Sequence, residues 1–242
     1  MSQAEPSTAP LAAKGETERV ELDRPGQSLA RRSAEAKATI PHIYLRADVD
    51  MSRAVEVQAA FSAAAAAGEP VPSLADTVLK ATALALRDHP RANGSYRDGG
   101  LELYSRVNIG FAVQSEGTVV TPAIADADRL SLAGIATETR RLSDQVSSGQ
   151  ITAAALSGAT FTVVDLGGFG VRDFDPVIQA GQAATLGTGQ VAERVVVRDG
   201  APTAAHVMQI SLACDHRILH GAEAARLLAA IRENLEEPDR IA

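Results

Sequence analysis

The chain has no tryptophan, a single cysteine (Cys214), and aromatic side chains at only 3% of its 242 residues. One cysteine excludes an internal disulfide framework and a thiolate zinc site. Lysine is scarce as well, present only as Lys14, Lys37 and Lys80. Acidic residues outnumber basic ones, 30 against 23, and no basic cluster exceeds an adjacent pair, Arg31–Arg32 or Arg140–Arg141. That balance argues against nucleic acid, whose phosphates demand a basic face. No apolar run approaches the roughly 20 residues of a membrane-spanning helix. The N-terminus lacks the charged start and continuous apolar core of a signal peptide. The expectation is a cytoplasmic protein with neither membrane nor nucleic acid as a partner.

What is present is ordinary globular material, 45% hydrophobic and 22% charged, in a chain long enough to bury a core. Residues 1–20 are rich in Ala, Pro, Ser, Thr and Glu without apolar period, and read as a disordered tail. Periodicity predicts helices over 27–37, 52–67, 73–90, 131–149 and 221–238, and a strand over 42–51. Short strands broken by glycine are predicted across 101–125. Further strands are expected in "TFTVVDLG", "QAATLGTGQVAERVVVRDG" and "AHVMQISLACDH". Helices and strands interleave irregularly, which predicts a layered α/β or α+β sandwich in one domain, residues 21–242.

The stretch richest in chemistry is "SLACDHRILHGAEAARLL", residues 211–228. Met208, Ile210, Leu212, Cys214 and His216 share one strand parity, so a continued strand places His216 on an apolar face. A histidine there loses hydration and favours its neutral form, which accepts a proton as a general base does. Local pattern leaves open a merely hydrogen-bonded histidine at a strand end. A metal pair with His220 is the weakest reading, since no third ligand accompanies the two, and no metal is expected. His42 begins a strand after Pro41 and is either structural or pocket-lining. His89 closes a helix, and His206 is expected to be exposed at a strand start.

Four stretches, in order, resemble the 2-oxo acid dehydrogenase acyltransferase catalytic-domain family. "LACDHRILHGAEAARLL" resembles its D-H-R-x-x-D-G-A signature, and "ARRSAEAKATIPHIYL" its opening helix and Pro-His strand. "VNIGFAVQSEGTVVTPAI" and "GATFTVVDLGGFGVRDFDPVIQAGQAATLGTG" resemble its central segments. The resemblance spans roughly residues 25–238. It implies a chloramphenicol acetyltransferase-like two-layer sandwich, with a mixed sheet and helices packed on one face. It also implies homotrimers, sometimes in larger assemblies, with the active site between subunits. Carried over, His216 is the general base and acetyl-CoA (or another acyl-CoA) is the co-substrate, with no bound cofactor. Asp215, Arg217 and His220 orient the base, while His42, Val164 and Asp165 line the substrate path.

The chain departs from the family where His220 stands for the signature's second Asp and where Gly26 and Gln27 replace upstream basic residues. It departs again at Val164, which replaces a serine that supports the oxyanion. Thr162 shares that strand parity and is the candidate substitute. None of the three lysines sits in a lipoyl-type turn. The expectation is therefore a freestanding O-acyltransferase for a hydroxyl of a small molecule, such as a tetronate-type intermediate. Two alternatives stand beside it: a dihydrolipoamide acyltransferase core served by a lipoyl carrier in trans, and a catalytically impaired trimeric scaffold.

Overall fold

A computed structural model describes residues 17–66, 68–115 and 118–241. Most of the predicted tail lies outside the described residues. Helix α1 (Arg24–Thr39) opens on Asp23, whose carboxylate accepts from the Gly26 N–H at 2.8 Å, with Pro25 in its first turn. It is followed by β1 (His42–Asp50), α2 (Ser52–Ala64) and α3 (Leu74–Asp88). Ser73 and Asp76 form the reciprocal cap of α3, with Asp76 N–H to Ser73 Oγ at 3.1 Å and Ser73 N–H to Asp76 Oδ2 at 2.8 Å. This satisfies two otherwise orphaned donors at the helix start.

Short strands follow: β2 (Gly94–Arg97), β3 (Gly100–Leu103), β4 (Ile109–Phe111), β5 (Val113–Ser115), β6 (Thr118–Val120) and β7 (Ala123–Ile124). "RDGG" turns β2 into β3 with positive φ at Asp98 (48°) and Gly99 (84°), the two-residue hairpin that Asp-Gly favours. Helices α4 (Leu132–Ser147) and α5 (Ala153–Ser157) lead to β8 (Phe161–Asp165), β9 (Ala184–Thr188) and β10 (Ala192–Arg198). The chain ends with β11 (Ala201–Asp215) and α6 (Gly221–Glu236). Helix α2 stops at Ala64, short of the expected residue 67, and α5 was not anticipated.

The main sheet runs β1-β11-β9-β8-β4-β7, with β10 also paired to β11. It is mixed: β8 is parallel to β4 and β9, while β11 is antiparallel to β1, β9 and β10. Val163, Leu186 and Leu212 are register neighbours across β8, β9 and β11, each at most 3% exposed. That face packs under α3 and α6 in one core. Helix α6 buries Ala224, Leu227, Leu228, Ile231 and Leu235, the stripe its sequence period predicts. Asn234 Nδ2 also donates to the Ala81 carbonyl of α3 at 3.0 Å.

The opposite face carries small and polar residues in register: Thr162 beside Thr185 and Ala213, then Val164 beside Gly187 and Ser211. Residues 170–182 cover it without regular structure. Phe174 lies against Gly187, where a Cβ would come within 2.9 Å of the ring. Ile178 in the same segment is fully buried. The expected sandwich, with helices on one face of a mixed sheet, is the observed one.

Candidate active site

β11 ends at Asp215, one residue before the parity of its apolar face would reach His216. The chain turns there because the Asp215 carbonyl accepts the N–H groups of Ile218 (3.0 Å) and Leu219 (2.9 Å). His216 is therefore exposed in the turn rather than packed on the apolar face, and the expected loss of hydration does not occur within one chain. Its backbone N–H donates to the Pro41 carbonyl at 3.0 Å, which fixes where the side chain leaves the sheet.

Asp215 and Arg217 form an ion pair beside His216. The buried Asp215 carboxylate accepts from Arg217 Nε (2.9 Å to Oδ1, 3.1 Å to Oδ2) and from Nη2 (2.6 Å to Oδ2). It also accepts the Arg217 backbone N–H at 3.0 Å. A buried carboxylate needs such partners to remain charged, and its hydrogen bonds in turn raise the Arg217 guanidinium above its ordinary value. The guanidinium lies 4.2 Å from the centroid of the Tyr96 ring, a cation–π contact. His220 is the N-cap residue of α6, its N–H directed to Glu223 Oε2 at 3.3 Å. The His216 and His220 rings meet edge to face, with centroids 5.6 Å apart and planes at 85°. Tyr96 went unread in the sequence because it carries no local motif.

His42 lies directly across from Asp215 in the β1–β11 register. Its Nε2 accepts the Ile178 N–H at 3.2 Å, so Nδ1 carries the proton toward the Ile40 carbonyl at 2.8 Å. Both ring nitrogens are engaged inside the chain, which makes His42 a strut between β1 and the covering segment. The Gln27 side chain donates to the Leu22 carbonyl at 2.8 Å, at the start of its own helix.

Thr162, Val164 and Asp165 do not join His216 within one chain. Counting strand spacings and rises, Thr162 is about 14 Å and Val164 about 20 Å from His216. Thr162 is 1% exposed, and its Oγ1 makes no hydrogen bond among the described residues. Val164 is half-buried. Asp165 is exposed; its Oδ1 accepts from Gly167 N–H (2.8 Å) and Thr188 Oγ1 (3.0 Å), shaping the turn after β8. It also borders a cleft of ≈ 570 Å³ with Val71, Phe111, Arg140 and Phe169.

Cys214 is fully buried, and burial pushes its thiol up to about 12, so it is no nucleophile at neutral pH. Among the described residues no cluster of three or more His, Cys, Asp or Glu is placed to hold a metal ion. No described helix is long and apolar enough to cross a membrane. His206 lies within β11 and is half-buried rather than exposed, because the strand begins earlier, at Ala201.

A mixed sheet backed by helices thus carries a His-bearing turn between its longest strand and α6. The family profile of the 2-oxoacid dehydrogenases acyltransferase (catalytic domain) matches residues 14–242, and the chain belongs to that family. It is 35% identical over 239 residues to the dihydrolipoyllysine-residue acetyltransferase component of the pyruvate dehydrogenase complex of Rhizobium meliloti. That match covers 97% of this chain and 54% of the relative, and the chain spans about half the length of the curated relatives it matches.

Among solved structures, the dihydrolipoamide acetyltransferase of Azotobacter vinelandii superposes with a TM-score of 0.91 at 28% identity, covering 98% of this chain and 99% of that one. The cubic core of a pyruvate dehydrogenase multienzyme complex gives the same values. A chloramphenicol acetyltransferase, at TM-score 0.52 and 14% identity, shares the fold alone, covering 88% of this chain and 94% of that one. In the Azotobacter enzyme a serine, a histidine and an asparagine were studied for their role in catalysis, and their intervals equal those of Val164, His216 and His220.

These relatives overturn the expectation of a freestanding O-acyltransferase for small-molecule alcohols, a tetronate intermediate included. That expectation rested on the lysine census, which recognises no acceptor.

Proposed function

We propose that residues 21–242 form the catalytic domain of a dihydrolipoamide acyltransferase, which moves an acetyl group between the thiols of CoA and of a dihydrolipoyl carrier. The observation that carries this reading is the shared spacing of Val164, His216 and His220 with the Azotobacter residues, on a fold superposing at TM-score 0.91. His216 takes the proton of the attacking thiol, and the sulfur adds to the thioester carbonyl. The tetrahedral oxyanion collapses, the old C–S bond breaks, and His216 returns its proton to the departing thiolate. Asp215, Arg217 and His220 hold the base in place.

The separation of His216 from β8 within one chain supports a site completed by a second copy, in a trimer or a larger core. An oxyanion donor contributes about 3 kcal/mol where such groups have been removed. Val164 offers none, whereas the Thr162 hydroxyl is a donor without a partner among the described residues.

The test offers acetyl-CoA with dihydrolipoamide and, in parallel, with free alcohols. Thioester formation on dihydrolipoamide is expected, and none on the alcohols. CoA binding without transfer to either would instead favour an inactive scaffold. Thr162→Val, nearly isosteric and breaking no hydrogen bond, is expected to lower kcat about 100-fold, with Thr162→Ser retaining most activity. An unchanged Thr162→Val rate would give the oxyanion to a backbone N–H.

A further inference from the structure

The turn that carries His216 is tied to a segment more than a hundred residues earlier in the chain by one arginine. Arg91 sits in the single 3-10 turn Pro90–Ala92 after α3. Its Nη2 donates to the Ile218 carbonyl at 2.8 Å, and its Nε lies 3.2 Å from Glu223 Oε1. Glu223 Oε2 in turn accepts the His220 N–H at 3.3 Å. These contacts close a ring: Ile218 carbonyl, guanidinium, carboxylate, His220 N–H. Ile218 and Leu219, between the two histidines, are at most 2% exposed and anchor the turn to the core. The other end is held by the Asp215–Arg217 pair and by the Pro41 carbonyl.

We infer that Arg91 is a positioning residue for the base, setting the direction of the His216 ring by fixing the carbonyl and N–H that bracket residue 219. It acts on His216 by two routes, through the backbone of the turn and through the His220 ring that meets His216 edge to face. A guanidinium suits this task because its planar fork reaches an acceptor on each of two groups at once, while a lysine ammonium on a flexible stem holds only one well. The Arg91 side chain is 49% exposed beside a cleft of ≈ 180 Å³ lined by His89, Leu219, Glu223 and Arg226. The ring is thus open to solvent, and its value lies in geometry rather than in stability. The inference rests on the reading of His216 as the base.

Acetyl transfer from acetyl-CoA to dihydrolipoamide measures it in the full chain. Arg91→Ala is expected to lower kcat about 10- to 100-fold, the range of a base displaced by a fraction of an ångström to about 1 Å, with both KM values unchanged. Arg91→Lys should recover part of that loss. Millimolar guanidinium should restore kcat in Arg91→Ala, entering the space the side chain vacates, and should do nothing for Arg91→Lys. Wild-type kcat in Arg91→Ala, a change confined to KM, or a loss that neither lysine nor guanidinium relieves would overturn the inference. If Arg91→Ala does not fold, Glu223→Gln opens the same ring: a lowered kcat supports the inference and an unchanged one overturns it. His216→Ala separates the two levels. Retained transfer there overturns the reading of the base and this inference with it, while its loss beside an unaffected Arg91→Ala overturns this inference alone.

Discussion

His216→Ala is expected to lose acetyl transfer to dihydrolipoamide by about 10²- to 10⁴-fold in kcat, the range a positioned general base contributes. The side chain is exposed and meets the His220 ring edge to face, so the variant should melt with the parent protein. Loss of rate without loss of fold is what marks a group touching the reacting atoms. Steady-state rates beside thermal melts of the same preparation check both halves. A variant that transfers acetyl at the parental rate would sink the mechanism, whatever its stability.

Gly189→Ala is expected to be the most damaging single methyl in the chain. A Cβ there would lie 1.9 Å from the Arg172 carbonyl oxygen and 2.6 Å from its carbon, both of them backbone atoms. Neither side can yield cheaply. The Gly189 N–H donates to the Gln209 carbonyl of β11 at 3.0 Å, and Gln190 N–H holds the Val171 carbonyl at 2.7 Å. Relief requires either the end of β9 to leave β11 or the segment at 171–172 to lift from the sheet. Overpacking of side chains costs about 1–3 kcal/mol, and a backbone clash belongs at or above the top of that range. Denaturant titration reads the loss, and limited proteolysis should place the first new cut within residues 170–182. A parental midpoint would show that the covering segment is not held as described.

The same two regions show what could be read from the residues alone. The stripe of α6 was visible because Ala224, Leu227, Leu228, Ile231 and Leu235 repeat at the helical period, and that stripe is the buried one. The alternation of β11 was legible up to Cys214 and misleading one step later. The strand ends where the Asp215 carbonyl captures two N–H groups, an event that parity does not encode. Arg91 and Tyr96 were invisible for a different reason. They serve the turn only through folding, across more than a hundred residues, and "PRANGSYRDGG" reads locally as a turn-rich stretch. The covering segment 170–182 has no period at all; its place over the sheet is set by two glycines, Gly187 and Gly189, that make room for Phe174 and for the Arg172 carbonyl. The acceptor was misjudged because Val164 and His220 mark where the chain departs from its family without saying what the site binds.

β11 draws its partners from β1 near the start of the described chain and from β9 and β10 just before it. Pairings between strands so far apart in sequence close long loops and are expected late in folding. The turn after Asp215 is anchored to Pro41, so His216 reaches its place only once β1 has docked beside β11. On the proposed reading of His216, a partly folded chain can hold its helices and part of its sheet and still lack a placed base.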